Sequence, residues 1–224
     1  MANSESTLKE SHGTLGDVPE ETGVSSLGIR IGMIGTNFKI AQISAREQLA
    51  RKITLEKLLR LRLDEMEGGP TEIVLLSTCN RIEVYYASEE MEKTADILSA
   101  CFTLPQSTKR SEENFGTYEY SDGRAIEHLF EVAAGLDSLV IGEAQILAQV
   151  REASKIANER GLCGPLLAKL FSKAYDAGRE IRESYPRFTN GFRNSVSLSV
   201  SDLISTHFEK KKPNILLIGS GKMI

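Results

Sequence analysis

The chain has 224 residues, 41% of them hydrophobic and 26% charged, the balance of an ordinary soluble globular protein with room for one full domain and part of another. A net charge of -4 and a pI near 5.6 argue against a protein held to nucleic acid mainly by global positive charge. No apolar run approaches the ~20 residues a membrane helix needs, and the three scattered cysteines and three scattered histidines form neither a disulfide framework nor a zinc centre. A reducing, cytoplasmic compartment is expected, with a plastid stroma as the alternative.

Residues 1–27 are rich in Ser, Thr, Gly and Glu, lack apolar periodicity, and are expected to form a disordered tail. The tail has no apolar core of a signal peptide, and its acids outnumber Lys9, the reverse of a transit peptide. Alternation over 29–34 predicts a strand. Ser44 is expected to cap one helix running to about Glu67, with Glu47 completing a capping box. Arg46, Arg51, Lys52, Lys57, Arg60 and Arg62 read as its solvated basic face. Gly68-Gly69-Pro70 ends the helix, and a buried strand over 73–76 follows. A second strand alternates through Ile82, Val84 and Tyr86, then come a helix over 89–102, a polar loop over 104–116 and a short strand at 118–120.

Asp122 is expected to cap a helix with Ile126, Leu129, Phe130 and Ala133 on one face. Further helices are predicted over 143–160, 164–184 and 194–209, then a linker at 210–213 and a strand over 214–218 that enters Gly219-Ser220-Gly221. The order β-α-β-β-α-β-α predicts an α+β fold, a small sheet with helices packed on one face. The expected organisation is a tail (1–27), a catalytic domain (28–160), a helical connector (161–212) and the start of a nucleotide-binding unit (213–224).

The chemistry concentrates at Ser77-Thr78-Cys79-Asn80-Arg81, where a buried strand ends in hydroxyl, thiol, amide and guanidinium groups. Such an ending places the thiol at a surface or cleft. A neighbouring cation favours the thiolate, which is the nucleophilic form. On residues alone, a structural cysteine at a strand end is the better explanation of the pattern, because one thiol near one arginine is weak evidence.

Three blocks carry a resemblance: Leu76–Tyr85, His128–Val150 and the glycine turn at 219–224. Together, and in this order, they resemble the glutamyl-tRNA reductase family over roughly residues 29–224. The resemblance implies a ferredoxin-like catalytic domain followed by the first strand of a Rossmann domain. It further implies NADPH-dependent reduction of glutamyl-tRNA(Glu) to glutamate-1-semialdehyde, the first step of C5-pathway tetrapyrrole, porphyrin and heme biosynthesis. Cys79 would attack the glutamyl ester and carry a thioester, and His128 would assist acid–base steps. Arg81 would grip the substrate carboxylate, with Thr78, Asn80, Ser138, Glu143, Ala144, Gln145 and Gln149 completing the substrate site. NADPH would lie against Gly219, Ser220, Gly221, Lys222, Met223 and Ile224. Implied partners are glutamyl-tRNA(Glu) and glutamate-1-semialdehyde aminomutase, and the family's full-length members are homodimers.

The sequence departs from the family at Asn37-Phe38-Lys39-Ile40-Ala41-Gln42, where an Asn-His-Lys-Thr-Ala-Pro-like turn is usual, and again around 185–195. Ending within the glycine turn, the chain is expected to be limited to thioester formation and hydrolysis. The alternative is a truncated homologue that docks tRNA or a partner without chemistry.

Overall fold

The computed structural model describes residues 28–63, 69–104, 116–185 and 204–207. The expected tail, the greater part of the 104–116 loop, nearly all of the 194–209 helix, and the strand and glycine turn at 213–224 lie outside those residues. Ten elements follow in order: β1 (Arg30–Asn37), α1 (Ile43–Lys52), α2 (Leu55–Leu63), β2 (Glu72–Ser77), β3 (Arg81–Ser88), α3 (Met91–Phe102), β4 (Tyr118–Ser121), α4 (Asp122–Ala134), α5 (Ala144–Glu159) and α6 (Pro165–Ser184). The strands form one sheet in the order β2-β3-β1-β4, with every neighbouring pair antiparallel. This βαββαβ arrangement is the expected α+β, ferredoxin-like fold.

All eight residues of β3 are buried, so the sheet is covered on both faces, not on one as expected. Successive strand residues face opposite ways. On one face Tyr86 packs into the space left by Gly32 and meets Met91 of α3. On the other, Glu83 meets His128 of α4 and Tyr85 meets the Phe171 ring of α6 edge-on, with centroids 5.2 Å apart. A single apolar core runs through both layers, from Met33 and Val84 to Leu167, Phe171 and Ala174. Helix α6 therefore shares the core of the sheet.

The single helix expected over 44–67 is two. Ile53 turns extended and buries itself, and Thr54 starts α2 by accepting the Lys57 N–H on its Oγ1 at 3.3 Å. The N-cap of α1 is Gln42 rather than Ser44, because an Asx turn at Asn37, whose Oδ1 accepts the Lys39 N–H at 3.0 Å, brings the chain round early. The N-cap of α4 is Ser121, and Asp122 is the helix's first residue. The basic face is also not simply solvated. Arg46 is buried, while Lys52 donates to the Thr103 carbonyl and Arg62 to the Gly161 carbonyl, tying α1 to the end of α3 and α2 to the turn before α6.

The outer edge of β2 is closed by the 161–164 turn, with the Ile73 N–H donating to the Leu162 carbonyl at 2.9 Å. Beside it, the buried Glu72 carboxylate accepts the N–H groups of Leu166 and Leu167 at 3.1 and 2.6 Å, satisfying the first turn of α6 from another element. Gly164 makes this approach possible, since a Cβ there would lie 2.4 Å from Glu72 Oε1. Replacing Glu72 with alanine is expected to cost about 2–3 kcal/mol, the worth of two bonds to a charged acceptor less what water recovers. Urea unfolding of the two proteins measures it. A difference under about 0.5 kcal/mol would show that the helix start needs no carboxylate.

Candidate active site

Cys79 sits at the tip of the tight β2–β3 connection, Thr78-Cys79-Asn80, and is exposed. The turn is built locally. Thr78 Oγ1 accepts the N–H groups of Asn80 and Arg81, both at 3.1 Å, and the Thr78 N–H donates to the Arg81 carbonyl at 2.8 Å. Two longer-range bonds fix its main chain. Arg46 Nε of α1 donates to the Cys79 carbonyl at 3.0 Å while its Nη1 donates to Ala41 O at 2.5 Å, and the Phe38 N–H donates to the Asn80 carbonyl at 2.8 Å. The thiol is thus displayed on a backbone that cannot easily shift.

Directly beneath lies a buried charged cluster. Arg81, Glu83 and Tyr85 share one face of β3, and a Cβ on Gly35 of β1 would lie 2.6 Å from Glu83 Cγ, so glycine there makes room for the carboxylate. Glu83 Oε1 accepts from Arg81 Nη1 at 2.7 Å, Tyr118 OH at 2.6 Å and His128 Nε2 at 3.0 Å, and Oε2 accepts from Tyr85 OH at 2.9 Å. Burial alone would push the Glu83 carboxyl up, but the Arg81 charge and these hydrogen bonds outweigh it and hold it at about 2. Ionised Glu83 only accepts, so His128 Nε2 carries the proton in this contact. Burial and the neighbouring Glu83 raise Tyr85 and Tyr118, which stay protonated donors.

His128 is 3% exposed, flanked by the Tyr118 and Tyr120 rings at 5.5 and 5.3 Å. It is a buried member of the cluster. Arg81 is likewise 1% exposed. Besides Glu83 it donates both terminal nitrogens to Asp137 Oδ2 at 3.1 Å, and Nη2 also to the Asp137 carbonyl. Lys39 pairs with the same Asp137 carboxylate. Burial would raise the Asp137 carboxyl, but Lys39 and Arg81 hold it below its usual range. The expectation that Arg81 offers its fork to a ligand thus meets a guanidinium already matched by two carboxylates.

Asp137 belongs to the loop over 135–143, which also carries Ser138, half-buried, and Glu143, 8% exposed, whose carboxyl burial pushes up. Gly135 ends α4 in the left-handed region at φ +79. The Gly142 N–H closes the loop on the Gly135 carbonyl at 2.9 Å. Ala144 is the first residue of α5, Gln145 is exposed and Gln149 half-buried on the same helix. The expected cofactor residues Gly219, Ser220, Gly221, Lys222, Met223 and Ile224 lie outside the described residues. Sequence reasoning missed Glu83, Tyr118, Arg46 and the Lys39–Asp137 pair. For Glu83 the available signal was period two along β3, which puts Arg81, Glu83 and Tyr85 on one face of a strand otherwise apolar as far as Ala87.

Among the described residues, no group of three or more His, Cys, Asp or Glu side chains is placed to hold a metal ion, and no helix is long and apolar enough to cross a membrane. The fold and site define a ferredoxin-like α+β domain that presents a cysteine on a braced strand turn above a buried ion network. The profile of the glutamyl-tRNAGlu reductase N-terminal domain matches residues 34–185, and the chain belongs to the glutamyl-tRNA reductase family. It is 36% identical over 198 residues to the glutamyl-tRNA reductase of Aquifex aeolicus, covering 86% of this chain and 46% of that one. Identity to the Rubrobacter xylanophilus glutamyl-tRNA reductase is 39% over 152 residues, 68% of this chain and 35% of the relative. The solved glutamyl-tRNA reductase from Methanopyrus kandleri superposes with a TM-score of 0.58 at 25% identity, covering 79% of this chain and 39% of that one. The chain thus spans less than half the length of these relatives.

Proposed function

We propose that Cys79 is the acyl-accepting nucleophile of a glutamyl-tRNA reductase, acting in the first step of tetrapyrrole biosynthesis. Sγ, as thiolate, attacks the carbonyl carbon of the ester between glutamate and the terminal ribose of glutamyl-tRNA(Glu). The C–S bond forms, the C–O bond breaks, and the ribose oxygen leaves with a proton taken from water, the counterpart of the one Cys79 gave up on ionising. The glutamyl thioester so formed is activated toward reduction to glutamate-1-semialdehyde, which an aminomutase would take up. NADPH supplies the hydride when bound; its expected residues at 219–224 lie outside the described ones, so no step is assigned to them. The observation that carries the reading is the exposed thiol on a main chain braced from α1 and the 37–41 turn.

Within this proposal, Thr78 and Asn80 shape the turn that aims the thiol, and His128 steadies Glu83. A substrate carboxylate reaches Arg81 by exchanging with Asp137. Ser138, Glu143, Ala144, Gln145 and Gln149 border the same loop and helix, with Glu143 suited to the substrate ammonium. Incubation with labelled glutamyl-tRNA followed by acid quenching should leave label on the protein that hydroxylamine removes, as it does from thioesters. Absence of labelled protein would sink the reading. A second reading, docking of tRNA without chemistry, draws on the matched charge of Arg81. Unchanged binding in Cys79→Ala, together with no label on the unaltered chain, would select it.

A further inference from the structure

Arg182 lies near the C-terminal end of α6, outside the three blocks of family resemblance. Its guanidinium reaches across to the neck of the 135–143 loop, where Nη1 donates to the Gly142 carbonyl at 2.8 Å. Nη2 donates to the Glu143 carbonyl at 3.0 Å and, more loosely, to the Ala133 carbonyl at 3.4 Å. These three acceptors are the last turn of α4, the closing residue of the loop and the N-cap of α5. The neck is tight: a Cβ on Gly135 would lie 3.1 Å from Gly142 Cα and 3.2 Å from Arg182 Nη2. One step along α6, a Cβ on Gly178 would lie 2.7 Å from the Ala133 carbonyl oxygen, so α6 and the end of α4 are held backbone-close.

A planar fork is what this junction requires. Three carbonyls from the two ends of the loop converge, Ala133 on one side and the consecutive Gly142 and Glu143 on the other. A guanidinium serves them from fixed directions, whereas an ammonium is a point donor on a flexible stem. Burial disfavours the Arg182 charge, so the carbonyl dipoles compensate a real desolvation cost. From the neck, the loop runs out to Asp137, which returns to Arg81 two residues from the thiol. The start of α5 leaves from the same neck.

We infer that Arg182 is a positioning residue: by clamping the neck of the 135–143 loop, it sets where Asp137 and the start of α5 stand relative to Cys79 and Arg81, and so governs substrate binding. This rests on the reading of Cys79 as the acyl acceptor. The effect passes through the loop, so it should fall on KM and not on the thiol itself.

The test compares the full chain with Arg182→Met and Arg182→Lys, by hydrogen–deuterium exchange and by glutamyl-tRNA acylation kinetics. In Arg182→Met, amide exchange over 135–145 should speed up about tenfold or more, the scale set by losing a charge-assisted hydrogen bond. Exchange over 72–88 should stay within about twofold. The KM for acylation should rise about tenfold, while alkylation of Cys79 by iodoacetamide stays within about twofold. Arg182→Lys should fall between, and added methylguanidinium should partly restore Arg182→Met. Unchanged exchange over 135–145, an equal rise across the strands, or a local rise with KM unmoved would each overturn the inference. Should the unaltered chain form no acyl-enzyme, the reading of Cys79 fails by itself, and the exchange measurements alone decide whether Arg182 clamps the loop.

Discussion

Replacing Glu83 with alanine is expected to destabilise the fold by about 3–5 kcal/mol, the range for breaking a buried ion pair by removing one partner. The loss is a large part of the ~5–15 kcal/mol that a domain of this kind has in total. Tyr85, Tyr118 and His128 would lose the Glu83 acceptor inside the protein, and Arg81 would keep only Asp137. Equilibrium urea unfolding measures the change, and a loss below about 1 kcal/mol would show that the donors find other partners. The same carboxylate gives stability a pH dependence with a defined sign. Its folded value of about 2 lies below the ordinary 4.5, so its contribution is present in full above the ordinary value and fades as pH falls through the folded one. The full contribution is about 3 kcal/mol, of which about 2 kcal/mol should be gone by pH 3. Asp137, also held below its usual range, acts in the same direction. In Glu83→Gln the slope between pH 6 and pH 3 should flatten markedly.

Cys79→Ser should show the opposite profile. The side chain is exposed and serves no packing role, so unfolding free energy should change by no more than about 0.5 kcal/mol. Acylation by glutamyl-tRNA should nonetheless fall by about a thousandfold or more, because a serine hydroxyl is a far weaker nucleophile near neutral pH and no base has been placed to activate it. The rate of label incorporation under single-turnover conditions is the readout. A variant retaining a tenth of the original rate would mean that the nucleophile lies elsewhere. Together the two substitutions separate the buried layer beneath the turn from the atom the turn presents.

Much of this was legible in the chain. Alternation located β1 and β3, Gly135 marked the end of α4, and the break at 161–164 marked the start of α6. The switch from apolar to polar at Ser77–Arg81 put the thiol at a strand end, where the structure has it. Local signals failed where two elements compete for one residue. Arg46 read as one more charge on a helix face, yet it is buried and bonded to the Cys79 carbonyl. Arg81 read as an open cation, yet Glu83 and Asp137 both claim it. Charge pairing across 56 residues leaves no mark on either neighbourhood in the sequence.

By itself, the sequence determined which of the described segments become strands and helices, apart from the break at Ile53, and that a cysteine stands where a buried strand meets solvent. These follow from periodicity and from the short-range preferences of glycine, proline and hydroxyl side chains, which act within a few residues. The tertiary structure alone decided that both faces of the sheet are covered, that α6 belongs to the same core, and that Arg81 and His128 are inward members of an ion network centred on Glu83. The reason is the medium. A buried carboxylate is tolerable only where donors from separate strands and helices converge on it, and that convergence exists only once the elements have packed.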